Sequence, residues 1–144
     1  MAYKTKYKLQ NTSKYIGDPN KIICRSLWER RVCKYLDENN NVIQWGSEEI
    51  TIPYYSPIDK KTHKYYPDFI AEIKSPSGEI RTYIIEVKPK KQTKPPNKKK
   101  RKNKSYIKEC ITYTINEAKW KSAKTLCNKQ GWNFIILTED NILP

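Results

Sequence analysis

Residues Lys64–Lys88, KYYPDFIAEIKSPSGEIRTYIIEVK, decide how the rest of the chain is read. Two runs rich in Ile, Val, Tyr and Phe flank Ser75-Pro76-Ser77-Gly78, a cluster of turn-forming residues, and that pattern predicts a β-hairpin. The first arm carries Tyr66-Pro67-Asp68-Phe69 and the second Ile85-Glu86-Val87-Lys88. Strand side chains alternate faces, so Glu86 and Lys88 project to one side, roughly 6–7 Å apart, while Ile85 and Val87 point into core. Pairing of the arms brings Asp68 alongside Glu86. Two carboxylates and one ammonium then converge at a sheet surface.

Adjacent carboxylates repel, and burial penalises each further. A divalent cation resolves that conflict. Mg²⁺, or Mn²⁺ in its place, takes hard oxygen ligands, normally one or two carboxylates completed by water and substrate phosphate oxygens. Asp68 and Glu86 supply the carboxylates, and the main-chain carbonyl of Val87, between Glu86 and Lys88, is a candidate further ligand. Lys88 is placed to orient or help deprotonate an attacking water, or to neutralise charge developing on a phosphate. Each residue also has a plain structural reading. Asp68 after proline suits a turn or strand edge, and Glu86 with Lys88 suits a solvated ion pair worth at most about 1 kcal/mol.

Working outward, Ser26–Asp37 (SLWERRVCKYLD) places Trp28, Val32, Tyr35 and Leu36 at helical spacing. Ser26 followed three residues later by Glu29 is a capping-box pattern. Glu29 also borders the core-facing stripe, so read from the residues alone it is equally a cap and an acid aimed at Asp68 and Glu86. Strands are predicted over Val42–Trp45, Glu49–Tyr54, Lys64–Ile73 and Arg81–Lys88. A long amphipathic helix follows over Ser105–Gln130, stopped by Gly131, and Trp132–Leu137 reads as a buried strand. The order implies one α/β domain, a mixed β-sheet flanked by helices. Residues 1–24 read as a basic, irregular N-terminal extension, and residues 25–144 as the domain proper, interrupted by a basic loop at 89–104.

The chain has 144 residues and a net charge of +14. Nine of its basic residues (Lys90, Lys91, Lys94, Lys98, Lys99, Lys100, Arg101, Lys102 and Lys104) fall in 90–104 without one acid, leaving only +5 elsewhere. Such self-repulsion, with Pro95-Pro96, predicts a flexible loop. Its natural partner is a phosphate backbone, because each neutralised phosphate releases counterions irrespective of base sequence. A solubilising loop and a localisation signal are the plain alternatives; anionic lipid fits less well without an amphipathic anchor. Lys119, Lys121 and Lys124 on the long helix either extend a phosphate-binding rim or simply face solvent. No apolar run approaches the ~20 residues of a membrane span, so no membrane partner is expected. Cys24, Cys33, Cys110 and Cys127 form no C-x-x-C pair and His63 is the only histidine, which argues against a Cys/His zinc site and for reduced thiols.

An acid on an early helix, Pro-Asp on one strand and Glu-x-Lys on the next resemble the PD-(D/E)xK nuclease superfamily, with its restriction-endonuclease-like fold. More narrowly the chain is similar to the head-completion nucleases of T-even-like tailed bacteriophages. The resemblance is carried by RSLWERR (Arg25–Arg31), WGSEEITIPY (Trp45–Tyr54), HKYYPDF (His63–Phe69), IIEVKPKKQTKPP (Ile84–Pro96), NEAKW (Asn116–Trp120) and GWNFIILTED (Gly131–Asp140), in family order. It implies metal-dependent hydrolysis of double-stranded DNA, open to endo- and exonucleolytic action, late in head morphogenesis and before tail joining. It makes Asp68, Glu86 and Lys88 catalytic and Glu29 the helix-borne acid, with Glu29 as an additional metal ligand candidate. Partners would be head vertex or connector proteins, and the place of action the cytoplasm of the infected host, with retention in the virion left open. His63 reads as a surface or hydrogen-bonding imidazole and Glu48/Glu49 as strand-edge charges. The competing functions are a non-catalytic DNA-binding head or tail assembly protein, a junction-resolving or transposition-type endonuclease of the same fold, and, on the lysine run alone, an RNA-binding protein.

Overall fold

A four-stranded mixed sheet with two separate apolar layers explains most of the sequence pattern. The computed structural model describes residues 4–97 and 103–143. In chain order the elements are β1 (Thr5–Lys6), β2 (Ile23–Cys24), α1 (Leu27–Glu38), β3 (Val42–Ser47), β4 (Ile52–Ser56), β5 (Lys61–Tyr65), β6 (Phe69–Lys74), β7 (Ile80–Val87), α2 (Lys104–Gln130), β8 (Asn133–Leu137) and α3 (Glu139–Ile142). The main sheet has the order β3-β6-β7-β8. Its first three strands are antiparallel, and β8 joins β7 in parallel after the α2 crossover.

Alternation along the strands builds two cores. Phe69, Ala71, Ile85 and Val87 pack with Val32, Cys33 and Leu36 of α1, and with Trp45, on one face. Ile84 packs on the other, with Trp120, Ala123 and Cys127 of α2 and with Ile52, Tyr54 and Tyr65 of the β4–β5 hairpin. α1 begins where expected: the Ser26 hydroxyl accepts the Glu29 N–H at 3.0 Å. α2 ends at Gly131, whose φ of 73° is the left-handed conformation that closes a helix without a Cβ penalty.

The predicted strand Lys64–Ile73 is two strands in two sheets. β5 pairs only with β4, and β6 begins at Phe69. Pro67 at the break lacks an N–H for a ladder. Asp68 diverts the ladder further, its Oδ2 accepting the Val87 N–H at 2.8 Å. The hairpin itself is β6–β7, with Phe69 opposite Ile85.

The stretch expected as an N-terminal extension is packed into the first core. Tyr7, Ile22 and Cys24 are buried there, β1 pairs with β2, and the Tyr15 ring meets Trp45 edge-on at 4.9 Å. Asp37, fully buried near the end of α1, accepts the Tyr7 hydroxyl at 2.9 Å and the Gln10 and Asn11 N–H groups at 2.8 and 2.9 Å. Low hydrophobicity hid this segment, because polar groups around one carboxylate anchor it. Among the described residues, no helix is long and apolar enough to cross a membrane.

Candidate active site

The β6–β7 pairing sets Asp68 one step before the Phe69–Ile85 pair, beside Glu86. Glu86 shares the face of Ile84, so it lies under the β4–β5 hairpin rather than on the open sheet surface the sequence suggested, and is only 5% exposed. Its Oε2 stands 4.0 Å from the Lys88 Nζ, and its Oε1 is buried without a hydrogen-bond partner. A buried, half-satisfied carboxylate is expensive unless something positive completes it.

Asp68 carries the matching fault. Burial first, then the charges of Glu86 and Glu29, push its carboxyl up to about 8, against the opposing pull of the Val87 N–H and Lys88. An acid that holds a proton near neutrality with a second carboxylate beside it marks a place where positive charge is missing. Among the described residues no group of three or more His, Cys, Asp and Glu side chains forms a ligand cluster. The donors available are thus the two carboxylates and neighbouring main chain, which is the ligand economy of Mg²⁺-type sites.

Glu29 takes part in the helix start, and its charge is felt at Asp68. At the third position of α1 its N–H goes to Ser26, and its Oε1 accepts the Arg25 N–H at 3.3 Å, one residue before the Ser26 N–H that a reciprocal capping box would use. Burial raises its carboxyl, as do the charges of Glu48 and Glu86, with Arg25 opposing. Its field also reaches Asp68. Glu29 thus acts on Asp68 through its charge, without forming a three-acid cluster among the described residues.

Arg25 and Glu48 complete the rim and escaped the sequence reading. Arg25 donates from Nε and a terminal nitrogen to the two Glu48 oxygens, at 3.0 and 3.3 Å. Glu48 has a left-handed backbone (φ 54°), and its N–H donates to the Asp68 carbonyl at 3.1 Å. No local motif announces that link. Glu49, by contrast, turns away and accepts the Tyr15 hydroxyl. His63 bonds Asp59 and stacks on Tyr54 at 5.8 Å, a hydrogen-bonding imidazole on the β4–β5 hairpin.

The expected phosphate-binding lysines do not behave as one set. Lys98, Lys99, Lys100, Arg101 and Lys102 lie outside the described residues. Lys91, Lys94 and Lys104 are exposed. Lys90 is engaged: its N–H donates to Glu139 at 2.6 Å and its ammonium pairs with Asp140 at 2.9 Å. On α2, the Lys119 ammonium stands over the Tyr54 and Tyr65 rings at 5.8 and 5.7 Å. Lys121 lines a separate groove between β4 and α2, and Lys124 faces solvent.

The sequence has counterparts among known proteins. The profile of the TnsA-like endonuclease N-terminal family matches residues 39–139, which contain Asp68, Glu86 and Lys88. The chain belongs to the TnsA-like endonuclease family. It is thereby a member of the PD-(D/E)xK superfamily with a restriction-endonuclease-like fold. It is also 42% identical to the head completion nuclease of Enterobacteria phage T4, over 99% of this chain and 95% of that protein. That likeness takes in α1 with Glu29 and the N-terminal segment as well, which the profile leaves out. Both make the chain a DNA-hydrolysing enzyme. PD-(D/E)xK nucleases work with divalent cations as a class.

Proposed function

We propose that this chain, a phage head-completion nuclease by its relatives, hydrolyses phosphodiesters of double-stranded DNA with Mg²⁺ or Mn²⁺ held by Asp68, Glu86 and the Val87 carbonyl. The observation that carries the reading is the pairing of a buried, unpartnered Glu86 oxygen with an Asp68 carboxyl that retains a proton near neutrality. Both faults disappear when a divalent cation is bound, so the residues present fit the group.

When bound, such a cation supplies Lewis-acid charge neutralisation and makes water a stronger acid. The chain's own residues do the rest. Asp68 is held by the Val87 N–H, which fixes its carboxylate against the strand that bears Glu86. Lys88, partly exposed and 4.0 Å from Glu86, places a positive charge between that carboxylate and the solvent side, where it orients the attacking water and meets the phosphate. Glu29, anchored by the cap, adds a further acidic oxygen, either as a ligand or as a hydrogen-bond acceptor for water. Arg25 is steered by Glu48 to the same rim, where a DNA strand would pass. Lys91, Lys94, Lys98, Lys99, Lys100, Arg101, Lys102 and Lys104, with Lys119, gather the duplex. No group at the site is set to read base edges, so cleavage depends little on sequence. The work belongs in the infected host cell, on heads filled with DNA, with head vertex or connector proteins as partners. Both endo- and exonucleolytic action are compatible with one open site.

The full-length likeness to a head-completion protein favours this reading over a transposition-type endonuclease, which the family profile alone would equally admit. The test compares wild type with Asp68→Ala and Lys88→Ala on plasmid and linear DNA in Mg²⁺, Mn²⁺ or EDTA. Metal-dependent nicking and degradation by wild type, lost in both folded variants, is the expected result. Equal DNA binding by all three with no cleavage by any would instead mean an assembly protein.

A further inference from the structure

Among the described residues, four buried side-chain polar atoms lack a hydrogen-bond partner: Trp45 Nε1, Trp120 Nε1, Tyr65 Oη and Glu86 Oε1. The last two belong together. Tyr65, on the β4–β5 hairpin, packs against the sheet face that bears Ile84 and Glu86, and burial first, then the Glu86 carboxylate, raise its hydroxyl well above the ordinary phenol range. The two are close enough to interact, yet neither the Tyr65 hydroxyl nor Glu86 Oε1 has a partner in hydrogen-bond geometry. A phenol donor and a carboxylate acceptor, both dry and adjacent, are left unsatisfied.

Packing leaves Tyr65 little freedom to escape this. It is the last residue of β5, is 3% exposed, and lies among Ile52, Ile84 and Trp120. From the α2 side the Lys119 ammonium sits 5.7 Å from its ring centroid and also covers Tyr54. The ammonium is thus in cation–π contact with the ring. Three residues later the chain reaches Asp68. The ring is thus built into the wall of the site while its hydroxyl has no structural duty in the fold: a phenylalanine would fill the same space.

We propose that Tyr65 is a positioning residue for Glu86, its hydroxyl donating to the buried Glu86 oxygen so that the carboxylate is presented to a divalent cation in one orientation. A donor behind a ligating carboxylate fixes its rotation, and loss of such partners typically weakens metal affinity or activity about 10–100-fold. Lys88, on the other Glu86 oxygen, and Tyr65 then grip the carboxylate from two directions. The inference rests on the metal reading above.

Tyr65→Phe is the test, read three ways on the full chain. Urea midpoint without metal should stay equal or rise, because the removed hydroxyl has no partner to lose. Mn²⁺ affinity by titration calorimetry should fall about tenfold or more. At saturating Mn²⁺, kcat should fall while the KM for DNA stays, since Tyr65 does not reach the strand. In a Glu86→Gln background the same substitution should add no further loss in Mn²⁺ affinity or kcat. Wild-type Mn²⁺ affinity and kcat in Tyr65→Phe, beside Asp68→Asn that has lost Mn²⁺, overturn the role of Tyr65 alone. Wild type that binds no Mn²⁺, or Asp68→Asn that binds it normally, overturns the metal reading and the Tyr65 role with it.

Discussion

Removing the Asp37 carboxylate should detach the N-terminal segment and destabilise the whole domain. A carboxylate in the last turn of a helix opposes the macrodipole, and this one is completely buried. It is tolerated only through its partners. Oδ2 accepts from the Tyr7 hydroxyl and the Gln10 N–H, and Oδ1 from the Asn11 N–H. The Asp37 carbonyl accepts from Asn11 Nδ2 at 2.8 Å and from the Lys14 ammonium at 3.0 Å, and Lys14 also reaches the Asn39 carbonyl at 2.7 Å. Lys14 thus restores the positive charge that the end of α1 calls for. Asp37→Ala deletes three hydrogen bonds to a charge, each worth about 1.5–3 kcal/mol, and strands their donors. Because these act as one cluster the sum is not additive, and a broken buried charge network costs about 3–5 kcal/mol. Asp37→Asn keeps the shape but turns an NH₂ toward a donor, for about 2 kcal/mol; Tyr7→Phe removes one bond of the three, for about 1 kcal/mol. Urea unfolding followed by tryptophan fluorescence measures all three, with Trp45 reporting from the same core, and limited proteolysis locates any early release before Arg25. Asp37→Ala within about 1 kcal/mol of wild type, with no new cleavage near residues 7–14, would refute the anchoring argument.

Two other perturbations have calculable signs. Without metal, folded Asp68 keeps a proton up to about pH 8 that the unfolded chain releases near pH 4. Metal-free stability should therefore fall as pH rises through that window and level off above it. Urea midpoints from pH 5 to 9 check this, and the decline should be reduced in Asp68→Asn; an unchanged decline would assign it to other groups. Neutralising Lys98–Lys102 should weaken DNA binding and flatten its salt dependence, by up to about 0.9 in log–log slope for each phosphate that is no longer neutralised. Lys90→Ala should change that slope less than Lys91→Ala or Lys94→Ala, because Lys90 already pairs with Asp140 and Glu139. Filter binding across a series of salt concentrations distinguishes them, and an unchanged slope in the five-residue variant would remove the loop from DNA binding.

The fold was legible wherever local pattern and tertiary packing agree. The Ser26 cap, the turn at 75–78, the helix stop at Gly131, and the alternation of Ile85 and Val87 against Glu86 all reflect short-range rules, and each reappears in the structure. The apolar stripe expected along α2 does not hold throughout: Ile107 and Ile111 are exposed, and Trp120, Ala123 and Cys127 carry the packing. What failed was long-range. The strand read through Tyr66-Pro67-Asp68 splits because the Asp68 side chain, not its main chain, meets Val87, an exchange no periodicity signals. The packing of residues 7–24 was hidden because a single carboxylate thirty residues away organises it. The same limit applied at the site. Asp68, Glu86 and Lys88 stand on neighbouring strands whose pairing is predictable. Arg25, Glu48 and Tyr65 reach the site from separate elements, and nothing in their spacing marks them. Likewise, Lys119, Lys121 and Lys124 look equivalent as a sequence, but α2 turns only Lys119 toward the tyrosines that line the site.

Glu29 shows why capping and chemistry need not compete. The Glu29 side chain, at the third helical position, folds back toward the helix start onto the Arg25 N–H. α1 packs over Ile85 and Val87, on the strand that also bears Glu86, and the charge of Glu29 is felt at Asp68. The bond to Arg25 therefore restrains a carboxylate whose charge opposes that of Glu86. Arg25, whose own N–H makes that bond, carries its guanidinium to Glu48, which in turn ties back to the Asp68 carbonyl. Helix start, ion pair and strand end are thus linked by one chain of contacts. A Glu29→Gln substitution preserves the cap while removing a charge, so it separates the two functions: helix stability should hold, and Asp68 should release its proton at lower pH because one of the charges that raises it is gone.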